Sequence, residues 1–478
     1  MRLSALIGAP ANPDPEVTGI TADSREVQPG FLFAALPGSA VDGAKFIASA
    51  EAAGAAAVLA MPGVKSSLPV IEDPEPRRKL SGIAARFYPQ QPSIIAGVTG
   101  TNGKTSTALF AADLWRRLGR ASGSIGTLGA WSEAYQRKLV HTTPEPVTLH
   151  ATLDAMTRSG VDRLAMEVSS HALSQFRADG VRFSLAAFTN LTQDHLDYHA
   201  GFDAYMQAKL RLFKGLVSEE GAAIINMDGE CANAFKDVSS NRGLRILTTG
   251  KCGDDLRLLD AAPHPAGLDL KILANSKAYE IALPLIGAFQ AENALLAAGI
   301  VIASGEEPES VIGLLPNLSG VPGRMQHAAS VGGAGIYVDY AHTPDAVATA
   351  LAAVRPHARG RVIVIIGAGG DRDRTKRPLM GRAAQQGADI VIVTDDNPRT
   401  EDAAAIRAEV LSGTTDAREV GDREEAIAIG VAALQEGDVL LIAGKGHETG
   451  QIVGDKTLPF DDAEVAGRMA AKREESGR

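Results

Sequence analysis

The chain has 478 residues, of which 45% are hydrophobic and 22% are charged, and its formal net charge is −10. Because this length exceeds what one hydrophobic core supports, we expect about three domains. The acidic balance argues against general affinity for nucleic acid. Cys231 and Cys252 are the only cysteines, and they lack the spacing of metal ligands. So few cysteines are typical of proteins from a reducing cytosol.

The chain also lacks the sequence signals of export and membrane insertion. No basic region followed by an apolar run marks a signal peptide. No stretch reaches the roughly 18 uncharged apolar residues that a membrane helix needs. We therefore expect a cytoplasmic protein that acts on small molecules, without affinity for membranes or nucleic acid.

The predicted elements divide the chain into three regions. Residues 1–91 hold short strands at 31–35 and 56–60. Residues 92–319 alternate strand and helix, as do residues 320–478 beyond a breaker-rich hinge at 318–323. In these two regions strands are predicted at 94–98, 163–168, 186–191, 222–226, 336–340, 361–366, 389–394 and 439–443, and helices at 106–118, 202–216, 345–354 and 424–434. This alternation predicts parallel sheets in an α/β fold. The tail from residue 472 is predicted to fray.

Residues 97–105 read Gly-Val-Thr-Gly-Thr-Asn-Gly-Lys-Thr, between a predicted buried strand and a predicted helix. A glycine-rich turn in this context directs main-chain N–H groups and the helix dipole at a polyphosphate. Lys104 can reach the terminal phosphates, and the Thr105 hydroxyl can bind Mg²⁺. The common loop has glycine where this chain has Val98, so the match is to a shorter variant. We predict a nucleoside triphosphate site; the alternative is an ordinary turn with a solvated lysine.

Polar residues follow two other predicted strands of the central region. Glu167 lies at the end of one strand, and His195 follows the next. Because parallel strand ends converge, both side chains could face the phosphates and coordinate Mg²⁺ or Mn²⁺. Each alone also fits a structural role, His195 as a helix cap and Glu167 as the partner of an arginine. Lys209 lies in the predicted helix at 202–216, where the residues alone indicate a solvated side chain.

Four motifs occur in order along nearly the whole chain. They are Gly-Thr-Asn-Gly-Lys-Thr (100–105), Glu-Val-Ser-Ser-His (167–171), Asn-Leu-Thr-Gln-Asp-His-Leu-Asp-Tyr-His (190–199) and Asp-Tyr-Ala-His-Thr-Pro (339–344). Together they resemble the Mur ligases of bacterial cell-wall synthesis, and within them the branch that adds the third residue of the peptidoglycan stem peptide. The resemblance implies a small N-terminal α/β domain for the UDP-substrate (1–91), a central P-loop-type parallel-sheet ATPase domain (92–319) and a C-terminal Rossmann-like domain for the amino acid (320–478).

The resemblance also implies roles for individual residues. Lys209 matches the lysine that becomes a carbamate in this family and helps to hold the second of two Mg²⁺ ions. The catalytic residues implied are Lys104, Lys209, His195 and Glu167, and the metal-binding ones are Thr105, Glu167, His195 and Lys209. The implied ATP-binding residues are Gly100, Thr101, Asn102, Gly103, Lys104, Thr105, Asn190, Asn293, Arg324 and Asp339. Those implied for the UDP-muramoyl dipeptide are Ser24, Thr142, Thr143, Ser169, Gln175 and Arg177.

The C-terminal region indicates which amino acid is added. Two loops, at 369–377 and 395–399, follow strands of one predicted parallel sheet and should open on the same face. A guanidinium binds a carboxylate with two charge-assisted hydrogen bonds. Arg399 therefore suits diaminopimelate, which ends in an ammonium and a carboxylate, and does not suit lysine. A solvated basic loop is the alternative from charge alone. The resemblance implies contacts to diaminopimelate from Arg372, Asp396, Asn397, Pro398, Arg399, Gly444 and Glu448.

These features predict a monomeric, ADP-forming ligase. The resemblance implies that ATP converts the D-glutamyl side-chain carboxylate of UDP-N-acetylmuramoyl-L-alanyl-D-glutamate into an acyl phosphate, which the amine of meso-diaminopimelate then attacks. Two alternatives stay open. One is a related ligase that adds lysine or extends a folate glutamyl tail, and the other is a nucleotide-dependent switch without ligase activity.

Overall fold

The computed structural model describes residues 1–38, 41–192 and 198–476. The chain forms two compact units. The first contains Met1–Asp255 and Leu296–Val311, and the second contains Leu256–Leu295 and Ile312–Arg478. Among the described residues, no helix combines the length and the apolar character needed to cross a membrane.

The first part of the chain, up to residue 250, alternates short strands and helices. In chain order these elements are α1 (Leu3–Ile7), β1 (Gly19–Thr21), β2 (Phe31–Ala34), α2 (Ile47–Ala52), β3 (Ala57–Ala60), β4 (Val70–Glu72), α3 (Pro76–Phe87), β5 (Ile94–Thr99), α4 (Lys104–Arg117), β6 (Ser122–Gly126), β7 (Gly129–Ser132), β8 (Gln136–Arg137), α5 (Pro146–Arg158), β9 (Arg163–Glu167), α6 (Ser170–Ser174), β10 (Phe183–Phe188), α7 (Phe202–Arg211), β11 (Val217–Asn226), α8 (Ala232–Asn241) and β12 (Arg245–Gly250).

The elements that follow begin with an antiparallel meander and continue as a second α/β arrangement. They are β13 (Leu256–His264), β14 (Gly267–Ala274), β15 (Lys277–Leu283), α9 (Ala288–Ala303), α10 (Pro308–Gly313), β16 (Gln326–Val331), β17 (Ala334–Asp339), α11 (Pro344–Val354), β18 (Val362–Ile366), α12 (Lys376–Gly387), β19 (Ile390–Val393), α13 (Ala403–Leu411), β20 (Ala417–Glu419), α14 (Arg423–Ala433), β21 (Val439–Ala443), β22 (Gly450–Val453), β23 (Lys456–Pro459) and α15 (Asp462–Ser476).

The first unit contains two sheets. Strands β1 to β4 form a small parallel sheet in sequential order. The larger sheet has the order β12-β11-β10-β5-β9-β6-β7-β8 within this unit, and it is parallel from β12 to β6. Strand β5 lies between β9 and β10, with Val98 opposite Glu167 and Thr99 opposite Phe188. The loops that follow these three strands therefore begin at the same edge of the sheet.

The second unit is organised around a sheet of order β16-β17-β21-β18-β19-β20. All its neighbouring strands are parallel except β16, which pairs antiparallel with β17. Along β18, Val362, Val364 and Ile366 pack in one core cluster, whereas Ile363 and Ile365 pack in another. Both faces of this strand are covered, which explains why its sequence is continuously apolar.

The predicted strand at 186–191 and the predicted frayed tail need correction. The strand is β10, which begins three residues earlier because Phe183 and Leu185 are buried with it, and polar residues follow it from Thr189. The tail from residue 472, predicted to fray, is helical in α15 as far as Ser476. The meander of β13, β14 and β15 was not predicted, although β14 buries Leu268, Leu270 and Ile272 on one face.

Candidate functional site

The glycine-rich loop between β5 and α4 needs glycine at two positions. Gly100 has φ 147°, and a Cβ atom there would lie 1.9 Å from Thr189 Oγ1. Gly103 has φ 83° and directly precedes α4. Both conformations are unfavourable for other residues. The loop consequently packs against the segment after β10 and leads into the N-terminus of α4, where an anion is stabilised.

The segment after β10 fixes the shape of this loop. The Thr101 N–H donates to the Asn190 main-chain oxygen at 2.8 Å, and the Asn102 N–H donates to Asn190 Oδ1 at 3.0 Å. The Thr189 hydroxyl donates to the Asn102 carbonyl oxygen at 2.6 Å. The structure thus brings Asn190, for which the resemblance implies a role in ATP binding, together with the loop. Thr189 was missed, although it directly precedes the recognised motif.

Two lysines reach the start of the loop. Lys104 Nζ donates to the carbonyl oxygens of Gly100 at 3.0 Å and Thr101 at 2.7 Å. Lys209 Nζ donates to the same Gly100 oxygen at 2.7 Å and lies 4.4 Å from the centre of the Tyr205 ring. Lys209 is only 1% exposed. The expectation of a solvated lysine, drawn from the residues alone, is therefore wrong, because this side of α7 faces the loop.

Glu167 lies beside the same loop at the end of β9. It is buried, and its two oxygens accept hydrogen bonds from the Thr127 N–H at 2.8 Å and from the Thr127 hydroxyl at 3.4 Å. A small cavity is lined by Glu167, Thr105 and Gly126 among others. Carboxylate and hydroxyl oxygens are suitable ligands for Mg²⁺. The residues present therefore fit a magnesium ion.

The predicted site residue His195 lies outside the described residues. In the described part of the chain, no three or more His, Cys, Asp or Glu side chains are grouped as metal ligands. Among the side chains of these four types, the described residues therefore offer Glu167 to an ion at this place, together with the Thr105 hydroxyl.

Four of the residues predicted to bind the muramoyl substrate form a hydrogen-bonded cluster next to Glu167. Thr143 Oγ1 donates to the Glu167 carbonyl oxygen at 2.9 Å and accepts from the Ser169 N–H at 3.1 Å. Arg177 donates from Nη1 to the main-chain carbonyl oxygen of Thr143 at 2.9 Å and from Nη2 to Gln175 Oε1 at 2.8 Å. This cluster joins the end of β9 to the segment after α6.

Thr142 and Tyr198 extend this cluster, whereas Ser24 is not part of it. The hydroxyl of Thr142 lies 3.1 Å from that of Thr127, which links it to Glu167. The Gln175 amide donates to the Tyr198 hydroxyl at 3.1 Å, a contact that sequence reasoning missed. Ser24, by contrast, begins a short 3₁₀ helix between β1 and β2, in the small sheet.

In the second unit, the end of β17 brings together Asp339 and Arg324. The Asp339 carboxylate accepts from the Met325 N–H at 2.8 Å and from the Ala341 N–H at 2.9 Å. Burial raises the pKa of Asp339, an effect that these N–H groups and the Arg324 charge oppose. The Arg324 guanidinium lies 4.8 Å from the centre of the Tyr340 ring. Asn293, on α9, donates to Gln290 Oε1 at 3.1 Å.

The two predicted amino-acid loops of the second unit lie side by side. A Cβ atom at Gly369 would be 2.8 Å from Arg399 Nη1 and 3.7 Å from Arg372 Cγ, so both arginines border this glycine. Arg399 Nη1 donates to the Gly370 oxygen at 2.8 Å. The loops after β18 and β19 therefore do open at a common place, and Arg372 is exposed there.

The segment after β21 contacts the second of these loops, and we call the two loops and residues 444–448 together the amino-acid crevice. Asn397 Nδ2 donates to Glu448 Oε2 at 2.8 Å, and the Gly444 N–H donates to the main-chain carbonyl oxygen of Asp339 at 3.1 Å. Asp396 is buried, which raises the pKa of its carboxyl group. Pro398 is buried between Asn397 and Arg399. The crevice thus combines two guanidinium groups, which can bind a carboxylate, with one partly exposed carboxylate, which can bind an ammonium group.

Comparison with known proteins identifies the family. The Mur ligase middle domain matches residues 98–301, the Mur ligase glutamate ligase domain matches 323–446, and the Mur ligase family catalytic domain matches 16–88. A Bradyrhizobium diazoefficiens protein named UDP-N-acetylmuramoyl-L-alanyl-D-glutamate–2,6-diaminopimelate ligase is 49% identical over 99% of this chain and 100% of its own length. The chain belongs to the Mur ligase family. The family predicted from the four motifs is confirmed.

Other Mur ligases are similar over almost the whole chain. A Caulobacter vibrioides protein of the same name is 48% identical over 96% of this chain and 97% of its own length. A solved structure of a ligase of this name has 32% identity and a TM-score of 0.74, covering 96% of this chain and 95% of that one. These matches confirm the predicted three-domain α/β fold class.

Proteins with different names share the fold. The MurF ligase of Thermotoga maritima in complex with ADP has a TM-score of 0.62 at 19% identity, over 96% of this chain and 98% of that one. A Mycobacterium tuberculosis folylpolyglutamate synthase has a TM-score of 0.61 at 19% identity, over 84% of this chain and 95% of that one. At this identity the likeness concerns the fold of a Mur ligase and not the substrate.

Proposed function

We propose that this Mur ligase adds meso-diaminopimelate to UDP-N-acetylmuramoyl-L-alanyl-D-glutamate and cleaves ATP to ADP and phosphate. The observation that carries the proposal is full-length identity of 49% to a ligase named for these substrates. The crevice of the second unit supports it independently, because Arg372 and Arg399 border Gly369 and suit the carboxylate of diaminopimelate.

We assign the triphosphate to the loop at 100–105. Its main-chain N–H groups and the N-terminus of α4 stabilise phosphate oxygens, and Lys104 supplies positive charge beside them. Asn190 holds the loop in shape. Asn293, Arg324 and Asp339 are assigned to the adenosine and its phosphates.

The metal-binding role falls to Thr105 and Glu167, with His195 and a carbamate on Lys209 as further ligands. Bound Mg²⁺ would neutralise phosphate charge and polarise the transferred phosphoryl group. A carbamate at Lys209 is supported by the shared acceptor at Gly100, because two ammonium groups that donate to one oxygen repel each other. Loss of one proton turns the Lys209 ammonium into an amine, which forms a bond to the carbon of CO₂ and releases a second proton, so that an anionic carbamate replaces the cation.

The cluster next to Glu167 is assigned to the muramoyl dipeptide. Arg177 and Gln175, with the hydroxyls of Thr142, Thr143 and Ser169, offer the donors that a substrate rich in carboxylate and phosphate requires. Ser24 is assigned to the uridine part. In the crevice of the second unit, Glu448 is assigned to the ammonium of diaminopimelate and the two arginines to its carboxylate.

The reaction proceeds in two steps that these residues make feasible. A D-glutamyl carboxylate oxygen attacks the γ-phosphorus of ATP, and the bond to the ADP oxygen breaks to give an acyl phosphate. The amine of diaminopimelate then attacks the acyl carbon, phosphate leaves, and the amine loses a proton. Lys104 offsets the repulsion between the two anions in the first step. Catalysis therefore rests on positioning and electrostatics rather than on an enzyme nucleophile.

We further propose domain limits of 1–91, 92–319 and 320–478, a monomeric state and a cytoplasmic location. The three matched family domains support the division, since each falls largely within one of these ranges. Cys231 and Cys252 are free thiols, which suits a reducing compartment.

An amino-acid panel tests the proposed function. The purified protein is given ATP, Mg²⁺, the UDP-muramoyl dipeptide and either meso-diaminopimelate, L-lysine or L-glutamate, and phosphate and amide product are measured. We expect both products with diaminopimelate and little with the other two. Activity with lysine but not diaminopimelate would overturn the choice of amino acid. Nucleotide binding without amide product under any condition would indicate a switch protein.

A further inference from the structure

Lys445 is a fully buried lysine between two residues assigned to the amino-acid crevice. It directly follows Gly444, and its side chain has no exposed surface. Its Nζ donates to the Gly450 carbonyl oxygen at 2.5 Å and to Asn397 Oδ1 at 3.2 Å, and it lies 3.4 Å from Glu448 Oε2. Burying an ammonium group is unfavourable unless its partners compensate for the lost hydration. An apolar side chain would fill the same space without this cost.

Lys445 and the Ile452 N–H together determine which way the Asn397 amide points. Asn397 Oδ1 faces two groups that can only donate, the Lys445 ammonium and the Ile452 N–H at 2.9 Å. An amide nitrogen at this place would meet two donors and find no acceptor. The amide oxygen is therefore held there, and the amide nitrogen is directed at Glu448 Oε2, to which it donates at 2.8 Å.

Glu448 is oriented by these same two residues. Its Oε2 accepts from Asn397 Nδ2 and faces the Lys445 ammonium, while the side chain as a whole is 35% exposed. One carboxylate oxygen is thus held by the protein, and the other can accept a hydrogen bond from a ligand. A fixed acceptor of this kind binds an ammonium group at a defined place, because the side chain does not lose rotational freedom on binding.

We infer that Lys445 is a positioning residue for the amino-acid substrate, which acts through Asn397 and Glu448 without touching the substrate itself. The inference rests on the proposed function of this crevice. Lys445 also offsets part of the Glu448 charge, beside the positive charges of Arg372 and Arg399. This combination favours an amino acid whose side chain carries a carboxylate as well as an ammonium.

The test is Lys445→Met, which keeps length and removes both charge and donor. We expect the KM for diaminopimelate to rise at least tenfold, while the KM values for ATP and the UDP-muramoyl dipeptide stay within twofold. Lys445→Arg should recover part of the loss, since it restores a cationic donor. The matched control is Lys456→Met, in the exposed strand β23, with no expected change. Equal increases in all three KM values, or no change in any, would overturn the inference.

A double-mutant cycle separates this role from the function of the crevice. If Lys445 acts through Glu448, then Lys445→Met should add little to the KM of Glu448→Gln. Full additivity would overturn the inference. An unchanged KM for diaminopimelate in Glu448→Gln would instead overturn the assignment of the crevice. Should Lys445→Met not fold, Lys445→Gln, which keeps one donor, takes its place with a smaller expected increase, and an unchanged KM again overturns the inference.

Discussion

Lys104 and Lys209 donate hydrogen bonds to one and the same carbonyl oxygen, that of Gly100, at 3.0 and 2.7 Å. Lys104 is the first residue of α4, at the end of the loop, whereas Lys209 is a buried residue of α7. Two ammonium groups on one acceptor repel each other, so a change of Lys209 to an anionic carbamate would relieve the repulsion. The chemistry of the site is therefore expected to depend on CO₂.

The first prediction concerns this carbamate. Lys209→Arg keeps a positive charge but cannot form a carbamate, so we expect kcat to fall about 100-fold, as in Lys209→Met. Removal of CO₂ and bicarbonate should lower the activity of the unaltered enzyme, and formate or acetate should partly restore Lys209→Ala. Near-normal activity of Lys209→Arg in steady-state assays would contradict the modification. Lys214→Met, an exposed lysine near the end of the same helical segment, is the control.

The second prediction concerns the shape of the nucleotide loop. Asn190→Ala removes the acceptor of the Asn102 N–H, a bond of 3.0 Å. One such hydrogen bond contributes about 1 kcal/mol, so the KM for ATP should rise roughly fivefold while that for diaminopimelate stays unchanged. Steady-state kinetics with each substrate varied in turn measures this. Asn241→Ala, at the exposed end of α8, should change neither value. An increase confined to diaminopimelate would refute the assigned role of Asn190.

Much of this arrangement follows from the sequence, and the rest depends on packing. Parallel strands were predicted from their apolar runs, so the meeting of Glu167 with the loop at 100–105 was predictable from the strand ends. The burial of Lys209 was not, because helical spacing does not reveal which face of α7 meets the loop. Lys445 was not singled out, because the sequence around it does not show that Asn397 and Glu448 contact its side chain.

The third prediction concerns selection of the amino acid. Arg399→Ala should raise the KM for diaminopimelate roughly 10- to 100-fold, because a hydrogen bond to a charged group contributes about 1.5–3 kcal/mol. The KM for ATP should change little. Because Arg399 also donates to the Gly370 oxygen, Arg399→Gln serves as a second variant that keeps a donor. The control is Arg418→Ala on the exposed strand β20. Equal weakening of both substrates would speak against a role in recognition.

The fourth prediction concerns stability against pH. His150 is fully buried on α5, neither ring nitrogen has a hydrogen-bond partner within the described ranges, and burial lowers the pKa of His150 to about 4. In the unfolded chain His150 binds a proton as the pH falls below about 6.5, whereas in the folded chain it does so only near pH 4. This contribution to stability is complete above pH 6.5 and is lost as the pH falls towards 4.

The expected loss from His150 is about 1.4 kcal/mol per pH unit, or roughly 3 kcal/mol in all. Chemical denaturation between pH 4.5 and 8 measures it, and His150→Gln should flatten the curve while His264→Gln leaves it unchanged. An equal pH dependence in His150→Gln and the unaltered protein would show that His150 is not the group responsible.

The most direct measurement follows oxygen from the D-glutamyl carboxylate into phosphate. The UDP-muramoyl dipeptide is labelled with ¹⁸O at that carboxylate, and the products formed with Mg²⁺-ATP and meso-diaminopimelate are analysed by mass spectrometry. We predict one ¹⁸O atom in each phosphate released and one amide product for each ADP. Unlabelled phosphate, or labelled phosphate that appears with lysine but not with diaminopimelate, would contradict coupling of ATP cleavage to the addition of diaminopimelate.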